Sequence, residues 1–181
     1  MERHNNDRMK RILIILELLI FVLTSKTALA CSCVGESTVE GGYKSSDIVV
    51  SGQIISTTDE YLPDSMSIKE MVALGIPADK LDKRLNGYYL KKILIKVETV
   101  FKGQMTSDTL TIYTGVGGGD CGYRFKTGQK YVIYGDTKSY LADFSQNQDF
   151  PNGQNVYWTN ICTRTQEYNL TEIKELEKIK K

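Results

Sequence analysis

Residues 28–37 read ALACSCVGES, and they place two cysteines directly after a small-residue stretch of the kind that signal peptidases cleave. A cysteine that becomes the first residue of a mature chain carries its sulfur beside a new α-amine. Both sulfurs can also form disulfides if the chain is exported. The fold therefore depends on which distant residues hold Cys31 and Cys33 in place.

Residues 1–30 have the three parts of a secretory signal. A basic start precedes the apolar run 12–23, and the small residues Ala28 and Ala30 occupy the −3 and −1 positions before Cys31. The apolar run is shorter than the roughly 20 residues that a membrane-spanning helix requires. We therefore expect cleavage after Ala30, no membrane anchor after processing, and a secreted, periplasmic or extracellular protein.

Lipoprotein processing is the alternative to simple cleavage. It attaches lipid to the sulfur of the first cysteine, usually after a Leu at −3, where this chain has Ala28. Lipidation of Cys31 would also leave an odd number of cysteines for pairing. We therefore rank lipoprotein anchoring second.

Cleavage after Ala30 would leave residues 31–181, enough for one domain with a hydrophobic core. Five of the 23 basic and three of the 22 acidic residues precede Cys31, so the remaining chain has a net charge of −1. That balance provides no basic surface for nucleic acid or an anionic membrane. The only histidine, His4, also precedes Cys31, which removes Ser-His-Asp and Cys-His catalysis and the commonest metal ligand. We expect a monomer that is not an enzyme and has no cofactor or metal of its own.

All four cysteines follow the predicted cleavage site, at positions 31, 33, 121 and 162. An even number of cysteines in an exported chain indicates two disulfides. A bridge between Cys31 and Cys33 would close a very small, strained ring. Two pairings remain, and in each of them both N-terminal cysteines are joined to a distant point of the chain. In most secreted proteins such bridges only stabilise the fold.

Five segments have the pattern of β-strands, because they are rich in β-branched residues or alternate apolar with polar side chains. They are DIVVSGQIIS (47–56), YYLKKILIKVETVFKG (88–103), DTLTIYTG (108–115), KYVIYGD (130–136) and NVYWTNI (155–161). Residues 169–181 are predicted as a helix that Asn169 caps, with Glu172 three residues on. This set predicts a mostly β domain over residues 31–181, built as a five-stranded barrel of the oligonucleotide/oligosaccharide-binding (OB) type with a C-terminal helix.

Residues 57–87 are predicted as a partly helical insertion between the first two strands. The segment SIKEMVALGIPADKLDKRL within it places Ile68, Met71 and Val72 on one side of a helix. A long insertion with structure of its own is often functional. We expect the insertion to set the choice of a protein partner.

The cysteine frame resembles the inhibitory domain of the tissue inhibitors of metalloproteinases. The phrases that carry the likeness are CSCV (31–34), DCGY (120–123), ICTRT (161–165) and the strand phrase KVETVFKG (96–103). The likeness extends from Cys31 to about Thr165, and the wider netrin-like superfamily shares the frame without sharing the activity. The resemblance implies a netrin-like OB fold with the disulfides Cys31–Cys121 and Cys33–Cys162.

The resemblance also implies a function, inhibition of a zinc metalloprotease. The α-amine and carbonyl oxygen of Cys31 would chelate the zinc of the protease and displace the water that the metal activates. Ser32 would enter the pocket beside the zinc, and the further contacts with the protease would come from Cys33, Val34, Gly119 and Asp120. The alternative is a netrin-like protein-binding module in which the disulfides are purely structural.

Overall fold

The computed structural model describes residues 31, 33, 38–63, 65–81, 87–117, 119–142 and 150–180, and the predicted signal lies outside them. The strands are β1 (Ile48–Pro63), β2 (Gly87–Lys102), β3 (Thr109–Gly115), β4 (Lys130–Gly135), β5 (Val156–Trp158) and β6 (Gln166–Glu167). The helices are α1 (Val39–Ser45), α2 (Ser65–Ala73), α3 (Leu170–Ile179) and a short 3-10 helix (Ala78–Lys80). The predicted mostly β character and C-terminal helix are confirmed.

All these strands form one 6-stranded mixed sheet in the order β5-β3-β2-β1-β4-β6. The sheet is not closed, so the prediction of a five-stranded barrel is wrong. Closure would require β4 to pair along β5, but β5 has three residues and the start of β4 pairs with β6 instead. Among the residues that the structure describes, an isolated bridge between Asp136 and Trp158 joins the end of β4 to β5. Its two hydrogen bonds, Asp136 N to Trp158 O at 2.9 Å and Trp158 N to Asp136 O at 2.7 Å, are too few for a ladder.

The two faces of the sheet bury different clusters because side chains alternate along each strand. One face holds an aliphatic cluster with a single tyrosine, made by Ile48, Val50, Ile54, Ile93, Ile95, Leu110, Ile112, Tyr131 and Ile133. The opposite face carries a cluster under α3, which includes Val49, Val132 and Leu176, and an aromatic cluster around Trp158. Each fully buried aliphatic side chain contributes about 1.5 to 3 kcal/mol.

Helix α3 is fastened to the sheet by a buried ion pair. Glu172 accepts a hydrogen bond from the Tyr134 hydroxyl at 2.5 Å and two from the Arg164 guanidinium at 2.6 and 2.7 Å. Burial acts to raise the pKa of Glu172, but the hydrogen bonds from Arg164 and Tyr134 outweigh it, so the pKa lies below its ordinary value. Asn169 caps the helix as predicted, with its side chain accepting from Thr171 N at 2.9 Å. Glu172, three residues after the cap, binds the sheet instead.

We predict that Glu172→Gln lowers the free energy of unfolding by about 3 kcal/mol at neutral pH, because it removes the buried carboxylate charge that accepts two hydrogen bonds from Arg164. The measurement is urea denaturation. The matched control is Glu177→Gln, an exposed position of the same helix, which we expect to change stability by less than about 0.5 kcal/mol.

The stability lost in Glu172→Gln should also depend on pH and become smaller in acid. Since the pKa of Glu172 is lowered by folding, its contribution is present above the ordinary pKa of about 4.3 and disappears as the pH falls through the folded value. The difference between the wild type and Glu172→Gln should therefore shrink below about pH 4. A difference that stays constant down to pH 2 would contradict this origin.

Lys102, at the end of β2, holds helix α1 against the sheet. Its ammonium donates to the carbonyl oxygens of Tyr43 at 2.7 Å, Lys44 at 3.0 Å and Ser46 at 2.5 Å. These carbonyls lie at the C-terminal end of α1, where a cation also interacts well with the helix dipole. Lys102 therefore ties the C-terminal end of α1 to the end of β2.

The β1–β2 hairpin is longer than the sequence predicts. The two strands pair from Val49 with Lys102 to Pro63 with Gly87. Residues 57–63, which we predicted within the insertion, are therefore strand, and the connection is limited to residues 64–86. None of the side chains described from 68 to 81 is buried, and Leu74 is 82% exposed.

We predict that a four-residue turn in place of residues 64–86 leaves the protein folded, with a melting temperature within about 3 °C of the wild type. The reason is that none of the described side chains of this connection belongs to the buried core, so their removal costs little buried apolar area. Thermal melting followed by circular dichroism is the measurement. Unfolding of the shortened chain would show that Ile68, Met71 and Val72 complete the core.

Candidate functional site

Both N-terminal cysteines are joined to loops at one end of the sheet. Cys31 is bonded to Cys121, with 5.6 Å between their Cα atoms, and Cys33 is bonded to Cys162, with 5.1 Å. Cys121 follows β3 and Cys162 follows β5, and these two strands run parallel. Parallel strands end at the same edge, so both anchoring loops lie together. The pairs are those that the resemblance implies.

A backbone hydrogen bond connects the two anchoring loops directly. Ile161 N donates to Cys121 O at 2.9 Å, and Thr159 N donates to Tyr113 O at 3.0 Å. Cys121 has a φ of +59°, in the left-handed region that non-glycine residues seldom adopt. Such a conformation persists only where its surroundings hold it, and here the disulfide and the bond from Ile161 do so. The two sulfur anchors are therefore fixed relative to each other.

Asp120 organises the loop that carries Cys121. One carboxylate oxygen accepts from Val116 N at 2.7 Å, and the other accepts from Gly117 N at 2.9 Å and Gly122 N at 3.0 Å. A Cβ on Gly122 would lie 2.1 Å from the carbonyl oxygen of Gly115, so only glycine permits this close approach. The predicted contact residue Asp120 is thus also the residue that shapes the loop.

The loop of Cys162 is held by an asparagine and by buried threonines. Asn160 Oδ1 accepts from Cys162 N at 2.7 Å and from Thr163 N at 3.0 Å. The hydroxyls of Thr159 and Thr165 donate to Tyr134 O at 3.0 and 3.2 Å. Sequence reasoning missed this network, although an asparagine two residues before a cysteine is a turn signal.

The predicted site residues that the structure describes converge on this edge. Cys31 and Asp120 are partly exposed, and Cys33 and Gly119 are exposed. The carbonyl oxygen of Gly119 lies 3.9 Å from the sulfur of Cys31. Ser32 and Val34 lie outside the described residues.

Two exposed apolar side chains flank the disulfides. Val116 is 41% exposed in the loop of Cys121, and Ile161 is 47% exposed beside Cys162. Neither residue is among those predicted for the site. Their place in the sequence could have identified them, because each lies within five residues of a bridged cysteine. They give the edge an apolar surface next to the anchored chain.

The described part of the chain shows no metal centre: no group of three His, Cys, Asp or Glu within it could hold an ion. Nor does any helix there have the length and apolar character of a membrane span. The two disulfides are typical of proteins that fold in an oxidising, extracellular-type environment.

In comparisons with known proteins, no family model matches the chain and no curated protein is significantly similar to it. The likeness to the tissue inhibitors of metalloproteinases is therefore carried only by the residues quoted above, and the activity that it implies is a proposal.

We predict that replacing Cys33 and Cys162 together with Ser lowers the free energy of unfolding by about 4 to 5 kcal/mol. The bridge closes a loop with a sequence separation of 129, so its loss releases much chain entropy in the unfolded state. Urea denaturation without reductant is the measurement. Equal midpoints for mutant and wild type would show that the bridge does not constrain the unfolded chain.

Proposed function

We propose that the processed chain, beginning at Cys31, is a secreted inhibitor of zinc metalloproteases. The supporting observation is the double attachment of residues 31 and 33 to one edge of the sheet. Cys31 stays partly exposed there while its sulfur is bonded to Cys121. A chelating residue needs both properties, because it has to reach a metal in another protein and has to lose little freedom when it does so.

Chelation would use backbone atoms of Cys31, which the disulfide leaves chemically unchanged. After cleavage, the α-amine would donate its lone pair to the zinc, and the carbonyl oxygen would supply a second ligand. Together they would replace the water that the protease activates for attack on a peptide bond. An α-amine has an ordinary pKa of about 7.7 to 8.0, so part of it is neutral near pH 7.

The surroundings of Cys31 suit contact with a protease. Val116, Gly119 and Ile161 present exposed surface beside the bridges. The backbone of the Cys121 loop is fixed by the three hydrogen bonds to Asp120. A surface that is ordered before binding costs less to immobilise in a complex.

We predict that one alanine added before Cys31 abolishes inhibition without affecting the fold. The extension moves the amine by about 3.8 Å, one Cα step, and turns the nitrogen of Cys31 into an amide that no longer donates a lone pair. Acetylation of the amine should have the same effect. The measurement is titration of a panel of zinc endopeptidases with protein whose N-terminus has been verified by intact mass.

The matched control is an alanine added after Lys181, which changes the mass equally and leaves the N-terminus intact. Both extended proteins should melt at the same temperature. Equal inhibition by the N-terminally extended protein would rule out chelation by Cys31. If the correctly processed protein inhibits no member of the panel, the inhibitor proposal fails.

A protein-binding module without inhibitory activity is the second candidate function. The observation that favours it is the connection at the end of the β1–β2 hairpin, where Val72, Leu74 and Ile76 are 44, 82 and 40% exposed. Exposed apolar side chains grouped in one segment are typical of protein contact sites. The variant with a short turn in place of residues 64–86 separates the two functions, because it removes these side chains and leaves Cys31 in place.

A further inference from the structure

A cleft of about 330 Å³ lies between the stem of the β1–β2 hairpin and the segment that follows the Cys121 loop. It is lined by Thr57, Lys91, Ile93, Val116, Tyr123, Arg124 and Phe125. Its volume is in the range of small-molecule sites, which are mostly apolar with a few convergent polar groups. The inhibitor proposal uses Val116 of this lining, and the binding-module proposal uses none of it.

The strand pairing explains how the cleft is built. Thr57 is opposite Ile93, and Asp59 is opposite Lys91, so these four side chains share one face of the hairpin. Ile93 is fully buried and forms the floor. The wall opposite the hairpin contains the rings of Tyr123 and Phe125, whose centroids are 4.8 Å apart.

The wall is fixed in place by hydrogen bonds to neighbouring strands. Tyr123 N donates to the hydroxyl of the buried Thr114 at 2.8 Å. Lys126 N donates to the Tyr131 hydroxyl at 3.0 Å. The cleft is therefore formed before any ligand arrives, because the segment from 123 to 126 is attached at both ends.

Two polar groups of the cleft are unused within the described residues. The hydroxyl of Thr57 is buried without a hydrogen-bond partner there, which is unfavourable for a polar group removed from water. Arg124 is exposed and makes no ion pair with any residue that the structure describes, whereas Lys91 pairs with Asp59. The cleft thus combines one uncompensated positive charge and one unsatisfied hydroxyl with an apolar floor and aromatic walls.

We propose that this cleft binds a carboxylate carried on a small apolar body. Arg124 would donate two parallel hydrogen bonds to the carboxylate, the pairing for which a guanidinium is best suited. Ile93, Tyr123 and Phe125 would contact the apolar body, and the Thr57 hydroxyl would gain a partner. A free organic acid and the C-terminal carboxylate of a peptide offer the same chemistry.

The test uses the exported, disulfide-bonded protein with 3-phenylpropanoate as the probe and uncharged 3-phenylpropanamide as its isostere. The acid should shift the backbone amide resonances of Thr57, Ile93 and Val116 in a titration followed by two-dimensional NMR, and the amide should not. Arg124→Gln should weaken the binding at least tenfold. The matched control Lys126→Gln, an exposed cation outside the cleft, should leave it unchanged.

Thr57→Val distinguishes a binding hydroxyl from a merely unsatisfied one. The variant keeps the shape of the side chain, so the protein should melt at the same or a higher temperature, while the affinity for the acid falls at least threefold. Shifts that are equal for the acid and the amide, or an affinity unaffected by Arg124→Gln, would overturn the proposal.

A peptide arm identifies the source of the carboxylate. N-acetyl-Gly-Gly-Phe is compared with its C-terminal amide in the same titration. Tighter binding of the peptide acid than of 3-phenylpropanoate assigns the cleft to a chain terminus, and the reverse order assigns it to a free acid. Failure of both acids to shift the cleft resonances would overturn the proposal, whatever the outcome of the protease assays.

Discussion

The parallel pairing of β5 with β3 is the contact on which the anchored N-terminus depends. It brings the loops after the two strands to one edge, where Cys121 and Cys162 receive the sulfurs of Cys31 and Cys33. β5 has only three residues, so the ladder alone would hold it weakly. Its last residue, Trp158, adds side-chain contacts that hold the strand in place. The indole is 1% exposed, stacks on Tyr113 with ring centroids 5.3 Å apart, and donates to the carbonyl oxygen of Pro151 at 2.8 Å.

The aromatic cluster and the disulfides thus both stabilise β5 and the loop that follows it. Burying Trp158 fixes β5 laterally through side-chain packing, and the bond from Ile161 N to Cys121 O fixes the loops beyond it. The disulfides then transfer this rigidity to residues 31 and 33, which belong to no strand or helix. A segment without secondary structure is otherwise the most mobile part of a domain. Each of the two cysteines is thus held by its own bridge to a loop that the sheet fixes.

The strands with a strong apolar alternation could be predicted from sequence, and the polar ones could not. Ile93 and Ile95 mark β2 because burial demands apolar side chains at every second position. Residues 57–63, TTDEYLP, have no such alternation and are predicted within the insertion, yet they pair along β2, with Asp59 opposite Lys91. β6 has two polar residues and no apolar signal at all. Sequence also left two disulfide pairings open, because Cys31 and Cys33 are two residues apart and each could reach either of the two distant cysteines.

Val116 belongs both to the cleft and to the loop that holds Cys31 through Cys121. A ligand in the cleft could therefore affect binding at Cys31 through this residue. The side chain of Val116 lines the cleft, while its backbone N–H is held by Asp120 in the loop of Cys121. A ligand that contacts Val116 therefore touches the surface beside Cys31. The described loop backbone is restrained by three hydrogen bonds to Asp120 and by the disulfide, so we expect it to keep this arrangement when the cleft is occupied. A ligand can shift an equilibrium only between states that differ in their interactions with it. An occupant of the cleft would therefore act on a partner at the N-terminus by adding or removing contact surface, and the position of Cys31 would stay the same.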